Sequence, residues 1–341
     1  SSDVCSSDLE YLYLASYTVA QYIVLATAWN ILGGYTGYVN FGAAGFFATG
    51  AYTSVLLHKT LALPLFIMIP IAGLVCAVLG LAMGYLTLRL RGVFFAIATL
   101  AMAIVLHTLV VNWSFVGGAR GAYIIRPREV MLFAGYSQYL FATMLALAAI
   151  AVAVARWVEH SRLGRGLAAI RDDEIAAQGM GINPVTTKLW AFALGASFSG
   201  ATGAIFGAYL QTISPDQFEY STSVIVLCMV ILGGTGNVWG VMFGGLLLQS
   251  FDRIFAERLT GWVHKLGAAF GDPSVAAIFN SFDLLRSRLF IFGLCLVLLM
   301  TLRPQGLLPA RKRRETALID ETDDEASERH AAEAAGVGVA R

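Results

Sequence analysis

Charge is what this chain has least of. Lysine, arginine, aspartate and glutamate make up 13% of its 341 residues against 57% hydrophobic ones. Most of those charges gather in the 159–188 stretch, the 252–288 region and the C-terminal tail. The core is therefore membrane-embedded: a helix needs about 20 apolar residues to cross a hydrocarbon layer of roughly 30 Å. The stretches 11–32, 38–57, 62–88, 92–111, 137–157, 189–211 and 284–302 meet that length.

Other absences narrow the function. The net charge is +1 and no basic patch with interleaved aromatics is present, so nucleic acid is set aside as a partner. Of four cysteines, Cys76, Cys228 and Cys295 lie in apolar segments at unrelated spacing, which argues for packing and against a disulfide framework or a metal site. There is no GxxxxGK[ST] phosphate loop, so the chain cannot hydrolyse ATP alone. No HExxH, no GxSxG and no paired intramembrane acids or histidines occur, which argues against a membrane-embedded enzyme. None of the seven spans holds an interior Asp or Glu to couple an ion. The first nine residues, SSDVCSSDL, have neither the basic nor the apolar region of a signal peptide, and 1–9 are read as non-native.

What is present starts with the polar interruption at 159–188. It carries Arg162, Arg165, Arg171 and Lys188 between two apolar segments, which places it on the cytoplasmic side. Asp172, Asp173 and Glu174 are expected in the first turn of a short helix, near the positive end of its dipole, with Pro184 closing the region. Arg89 and Arg91 support that orientation, while Arg120, Arg126 and Arg128 in the external loop 112–136 run against it. Counting back leaves the N-terminus outside, so a further helix is expected before Glu10. Arg303 and the cluster Arg311, Lys312, Arg313 and Arg314 put the C-terminus in the cytoplasm.

Parity then requires an even number of crossings between 212 and 283. The only apolar material is 221–251, split by LGGTGNVWG at 232–240. Two short helices of about 14 residues, meeting at Gly233, Gly234, Gly236 and Gly240, satisfy parity as a re-entrant hairpin or a pair of short spans. A single long helix would put the tail outside. Residues 252–283, with Trp262, His264, Lys265 and Pro273, read as an external amphipathic excursion, and the acidic, alanine-rich 311–341 as a disordered cytoplasmic tail. The expected fold is all-α, a polytopic transmembrane bundle of about 8–10 membrane helices including the broken pair, over residues 10–310.

Small residues line two spans. Gly42, Gly45 and Gly50 lie among alanines in the second, and Gly195, Ser199, Gly203 and Gly207 recur at four-residue spacing in the sixth, nearly on one face. Close helix packing accounts for most of them. Uncharged polar residues accompany them and need partners in lipid. Asn30, Asn40, Thr53, His107, Ser197, Thr202 and Gln211 are candidates to line a path for a polar, net-neutral solute. His107 alone reads as a hydrogen-bonded interior histidine rather than a relay group.

Five stretches carry a resemblance: WNILGGYTGYVNFGAAGFFATGAYT at 29–53, RLRGVFFAIATLAMA at 89–103, the run from GRGLAAIRDDEIAAQGMGINPVTTK to GAIFGAY at 164–209, VILGGTGNVWGVMFGGLLL at 230–248 and RPQGLLP at 303–309. Together they cover most of 29–309, and the chain resembles the permease subunits of ATP-binding-cassette importers for branched-chain amino acids, the LivM type. The resemblance implies that 159–188 holds a coupling helix seated in an ATPase subunit, with Arg171, Asp172, Asp173, Glu174, Ala176, Ala177 and Gly181 as its contact set. Ala176, Ala177 and Gly181 take the alanine pair and glycine of the importer EAA pattern. Ile175 stands where that pattern has glutamate, with Glu174 one residue earlier.

It also implies two ABC ATPase subunits carrying ATP and Mg, a homologous second permease, a periplasmic or extracellular substrate-binding protein, the bacterial inner membrane, and no cofactor of the chain's own. Branched-chain amino acids are the implied substrate and urea or short-chain amides the alternative. A secondary transporter or channel would leave the cytoplasmic helix without a purpose.

Overall fold

The computed structural model describes residues 2–90, 92–123, 135–218 and 220–250, with isolated positions between 293 and 301 and the strap 306–308. The excursion at 252–283, most of the 284–302 span with Cys295, Arg126, Arg128 and the 311–341 tail lie outside the described residues. The helices in chain order are α1 (Ser2–Thr36), α2 (Ala43–Leu61), α3 (Leu65–Thr87), α4 (Val93–Val111), α5 (Tyr136–His160), α6 (Arg162–Asp172), α7 (Glu174–Gly179), α8 (Pro184–Leu210), α9 (Tyr220–Gly233) and α10 (Val238–Ser250). A two-residue antiparallel pair, β1 (Ala122–Tyr123) with β2 (Thr212–Ile213), ties the α4–α5 connection to the end of α8. Among the described residues eight of these helices form the bundle, and α6 and α7 are the polar interruption.

Four helices, α3, α4, α5 and α8, are long and apolar enough to cross a membrane by length and composition. The first three leave large apolar side chains such as Phe66, Phe94, Ile104 and Ile150 exposed, the surface that a lipid environment solvates. The C-terminal half of α1 does the opposite. Its Thr27, Asn30 and Thr36 are buried with Ala26, Ile31 and Leu32, so polar groups face protein rather than hydrocarbon. α1 is helical from Ser2, through the stretch that composition set apart.

α8 is the central post, with α3, α2 and α1 packed along it. The four-residue rhythm of small residues is what permits this. A Cβ on Gly203 would meet the Phe47 carbonyl and one on Gly207 the Ser54 hydroxyl, both on α2, while one on Gly195 would meet the Ala28 carbonyl on α1. On the opposite partner, Gly50 of α2 rests on the backbone of Gly200. Backbones this close gain dispersion contacts that no larger side chain would allow.

α8 begins where sequence expected the polar region to close. Pro184 occupies the first turn, where its missing N–H costs nothing, and the Asn183 side chain accepts from Thr186 N at 3.3 Å. Pro184 therefore opens a helix.

Gly203→Val should destabilise the bundle by about 1–3 kcal/mol through overpacking against α2. Thermal unfolding of the detergent-solubilised protein measures this. Gly179→Ala, which meets nothing within 4 Å, should leave the midpoint unchanged.

Candidate functional site

Between α1 and α2 the chain is not helical. Residues 37–42 enter the bundle as irregular backbone, so the second span starts at Ala43 and not at 38. Side chains from three helices, and one of its own, satisfy the backbone there. Phe41 N donates to Thr99 Oγ1 of α4 (3.1 Å), and Gly42 N donates to Asn40 Oδ1 (2.8 Å). Trp29 Nε1 of α1 donates to the Asn40 carbonyl at 2.7 Å. Ser223 Oγ of α9 donates to the Phe41 carbonyl (2.8 Å) and accepts from Ala44 N (2.9 Å). Thr87, Thr99, Phe46, Met102 and Phe192 line a small cavity beside Gly42. Non-helical backbone at membrane depth persists where protein supplies its partners, and such segments are where transporters place their binding sites.

The second irregular point is the turn between α9 and α10. Gly233 lies against the Gly240 carbonyl and Gly244 against the Met229 carbonyl, so the two helices form a tight antiparallel hairpin of 14 and 13 residues rather than one long helix. Gly234 (φ +110°) and Gly236 (φ +85°) take backbone angles that L side chains avoid. Gly236 N donates to Asn30 Oδ1 at 3.0 Å. The last carbonyls of a helix lack intrahelical partners. Here Leu232 O and Gly233 O accept from Leu307 N (3.0 Å) and Leu308 N (3.1 Å), and Asn237 Nδ2 donates to Leu308 O (3.2 Å). Leu307 and Leu308 thus cap α9 with their backbone, a role that sequence did not disclose in advance.

The polar interruption folds as two helices. Asp173 separates them, its Oδ1 accepting from Ile175 N (2.7 Å) and Ala176 N (3.0 Å). The Ala176 N–H, then that of Ile175, holds the carboxyl below its ordinary value. Only Asp173 and Glu174 sit at the start of α7. Asp172 is the last residue of α6, at the negative end of that dipole, and so does not share the first turn.

The expected contact set divides in two. Facing inward, Arg171 Nη1 donates to the carbonyl of Gly34 at the end of α1 (3.0 Å), and Ala177 is 4% exposed. Glu174 is also turned inward: Lys188 Nζ donates to its Oε1 (2.9 Å) and to Tyr38 Oη (2.9 Å), and Tyr38 Oη donates to Glu174 Oε2 (3.0 Å). Lys188 is 1% exposed, with Nζ 4.2 Å from the Tyr38 ring centroid. Facing outward are Asp172, Asp173, Ala176 and Gly181, joined by two residues that sequence did not select, Ile175 (72% exposed) and Met180 (85%).

The path candidates do not converge. Asn40 belongs to the irregular segment and Asn30 to the α9–α10 turn. Thr53 and Thr202 donate to carbonyls four residues back in their own helices, Thr49 O and Phe198 O. His107 packs edgewise on Phe218 at 5.9 Å. Ser197 borders an apolar groove of about 510 Å³ between α3, α5 and α8, and Gln211 caps α8. Thr99 and Ser223, which do meet at the irregular segment, escaped selection because single hydroxyls in apolar helices carry no pattern.

A family model described as the permease component of branched-chain amino acid transport systems matches residues 11–269. The chain is 29% identical to the high-affinity branched-chain amino acid transport system permease protein LivM of Escherichia coli, over 84% of this chain and 68% of that protein, and equally to its Salmonella typhimurium counterpart. It is 24% identical to the E. coli permease protein LivH over 70% of this chain and 83% of that one. No solved structure matches.

Asn30→Ala should leave Gly236 N without its acceptor, costing about 1–3 kcal/mol locally. Amide exchange at 234–237 should accelerate while α8 stays protected.

Proposed function

The chain belongs to the family of permease components of branched-chain amino acid transport systems, and from that premise we propose that it is the translocating subunit of an ATP-driven importer of leucine, isoleucine and valine. It pairs with a homologous second permease, two ABC ATPase subunits that hold ATP and Mg, and an external substrate-binding protein. The α6–α7 end and the C-terminal tail face the cytoplasm, in keeping with the arginines of α6 and the basic cluster at 311–314.

The observation that carries this reading is the outward face of α7. A short capped helix braced from behind through Glu174 and Ala177, with Arg171 of α6 tied to α1 beside it, presents Ile175 and, at its C-cap, Met180, two large apolar side chains, away from the bundle. On a polar segment outside the hydrocarbon, such a pair fits the apolar centre of a protein interface. Because Ala177 faces inward, enlarging it would disturb packing rather than docking, so the contact rests on Ile175 and Met180. The path runs beside the irregular segment 37–42. There the uncharged groups that hold the backbone, Asn40, Thr99 and Ser223, lie near Phe46, Met102 and Phe192, a setting without charge that suits a net-neutral solute with an aliphatic side chain. ATP-driven closure of the ATPase pair shifts α6–α7 as a rigid body and opens the path alternately to each side.

Ile175→Glu and Met180→Glu should each reduce ATPase co-purification by about tenfold or more while the permease still accumulates, because charge in the buried centre of an interface is among its costliest changes. Retention of the ATPase by both variants, together with undiminished leucine uptake in proteoliposomes, would show that α7 is not the docking element.

A further inference from the structure

The Tyr38–Lys188–Glu174 cluster is a stability puzzle. A lysine that is 1% exposed and a largely buried glutamate have both given up water. A buried ion pair recovers that loss only in part, and well-packed apolar residues often do as well. Stability alone does not account for placing this pair here. Its geometry does something that apolar packing cannot: three directional bonds, at 2.9, 2.9 and 3.0 Å, lock together three separate segments. Glu174 opens α7, Lys188 lies in the first turns of α8, and Tyr38 lies in the irregular stretch 37–42.

The attachments at either end set the direction of the effect. α7 has six residues and is too short to carry force by its own rigidity. Its outward face holds the docking residues, and inward it is anchored through Glu174 and Ala177. Tyr38 is followed within a few residues by Phe41, Gly42 and Ala44, whose backbone amides are held by Thr99, Asn40 and Ser223. A displacement of α7 that keeps the three bonds therefore moves the backbone next to the proposed path and the N-terminus of α2. Apolar contacts in the same place would slide.

We infer that Glu174, Lys188 and Tyr38 form the strut that transmits movement of α7 to the 37–42 segment, so that they are positioning residues for coupling ATP hydrolysis to substrate passage. The inference rests on the importer reading and deepens it. The strut explains why Glu174 is absent from the docking surface: its carboxylate is already committed to the inner end of the linkage.

The test uses the complete transporter, permease pair with ATPase subunits and binding protein, in proteoliposomes. Leucine uptake and ATP hydrolysis are measured in the same vesicles for wild type, Lys188→Met, Glu174→Gln, Tyr38→Phe and the charge exchange Glu174→Lys with Lys188→Glu. The expected result is that hydrolysis persists while leucine moved per ATP falls about tenfold in Lys188→Met and Glu174→Gln, less in Tyr38→Phe, and recovers to within about threefold in the exchange. Should Lys188→Met fail to accumulate, Glu174→Gln and Tyr38→Phe decide on the same ratio. An unchanged leucine-to-ATP ratio in Glu174→Gln and Tyr38→Phe, or uptake and hydrolysis falling in proportion, overturns the strut. A wild-type complex that hydrolyses ATP but takes up no leucine overturns the importer reading and the strut with it.

Discussion

Inside a bilayer every backbone N–H and C=O that leaves a helix must find a protein partner, and that one requirement organises this molecule. Among the described residues the chain breaks helix inside the bundle at 37–42 and 234–237, and at both the surrounding helices supply the missing bonds from hydroxyls, amides and one indole. Each break is therefore also a junction. The first fastens α1, α4 and α9 to the start of α2, and the second fastens α1 and the 306–308 strap to the α9–α10 hairpin. α1 serves both through Trp29 and Asn30, adjacent residues whose side chains reach different breaks. This is why its C-terminal half is buried and comparatively polar.

The same requirement controls charge. Lys188 and Glu174 enter the protein at the end of the bundle where α6 and α7 sit, and they do so as a pair with the Tyr38 hydroxyl completing the triangle. Arg171 reaches the Gly34 carbonyl, one of the last of α1, whose amide partner would otherwise be missing. Ionised groups here thus replace backbone or side-chain partners that the chain itself lacks, and the polar interruption is bonded to the bundle rather than hanging from it.

Much of this was legible in sequence. Long uncharged runs gave the bundle helices, and parity with a glycine-rich break gave two short helices at 220–250 rather than one. The four-residue rhythm from Gly195 to Gly207 marked the packing face of α8. These signals are local and periodic, so one stretch of chain is enough to read them. The junctions were not legible, because each depends on residues far apart: Tyr38 with Lys188, Phe41 with Ser223, Leu232 with Leu307. The sequence pattern places Glu174 on the docking surface with its neighbours, and only the position of Lys188, fourteen residues on, turns it inward. Asp172 lies outside the expected first turn for a smaller reason. A run of three acids reads as one helix start, yet the chain used the middle one as the cap.

The packing also limits how such a bundle can move. Where Gly203 rests on Phe47 and Gly50 on Gly200, there is no side-chain layer to deform, so α2 and α8 can shift only as one body. α3 is joined to that body through Gly73 and Gly80, which lie against Ser197 and Ala196. Relative motion is then taken up where the backbone is not helical, and three such points lie against α1: 37–42, 234–237 and the Asp173 break between α6 and α7. All three are bonded through α1, to Trp29, to Asn30 and, through Arg171 at the end of α6, to Gly34. Among the described residues, a rigid-body shift imposed at α7 has routes to the interior through Arg171 at Gly34 of α1, through Tyr38 and through Lys188 at the start of α8.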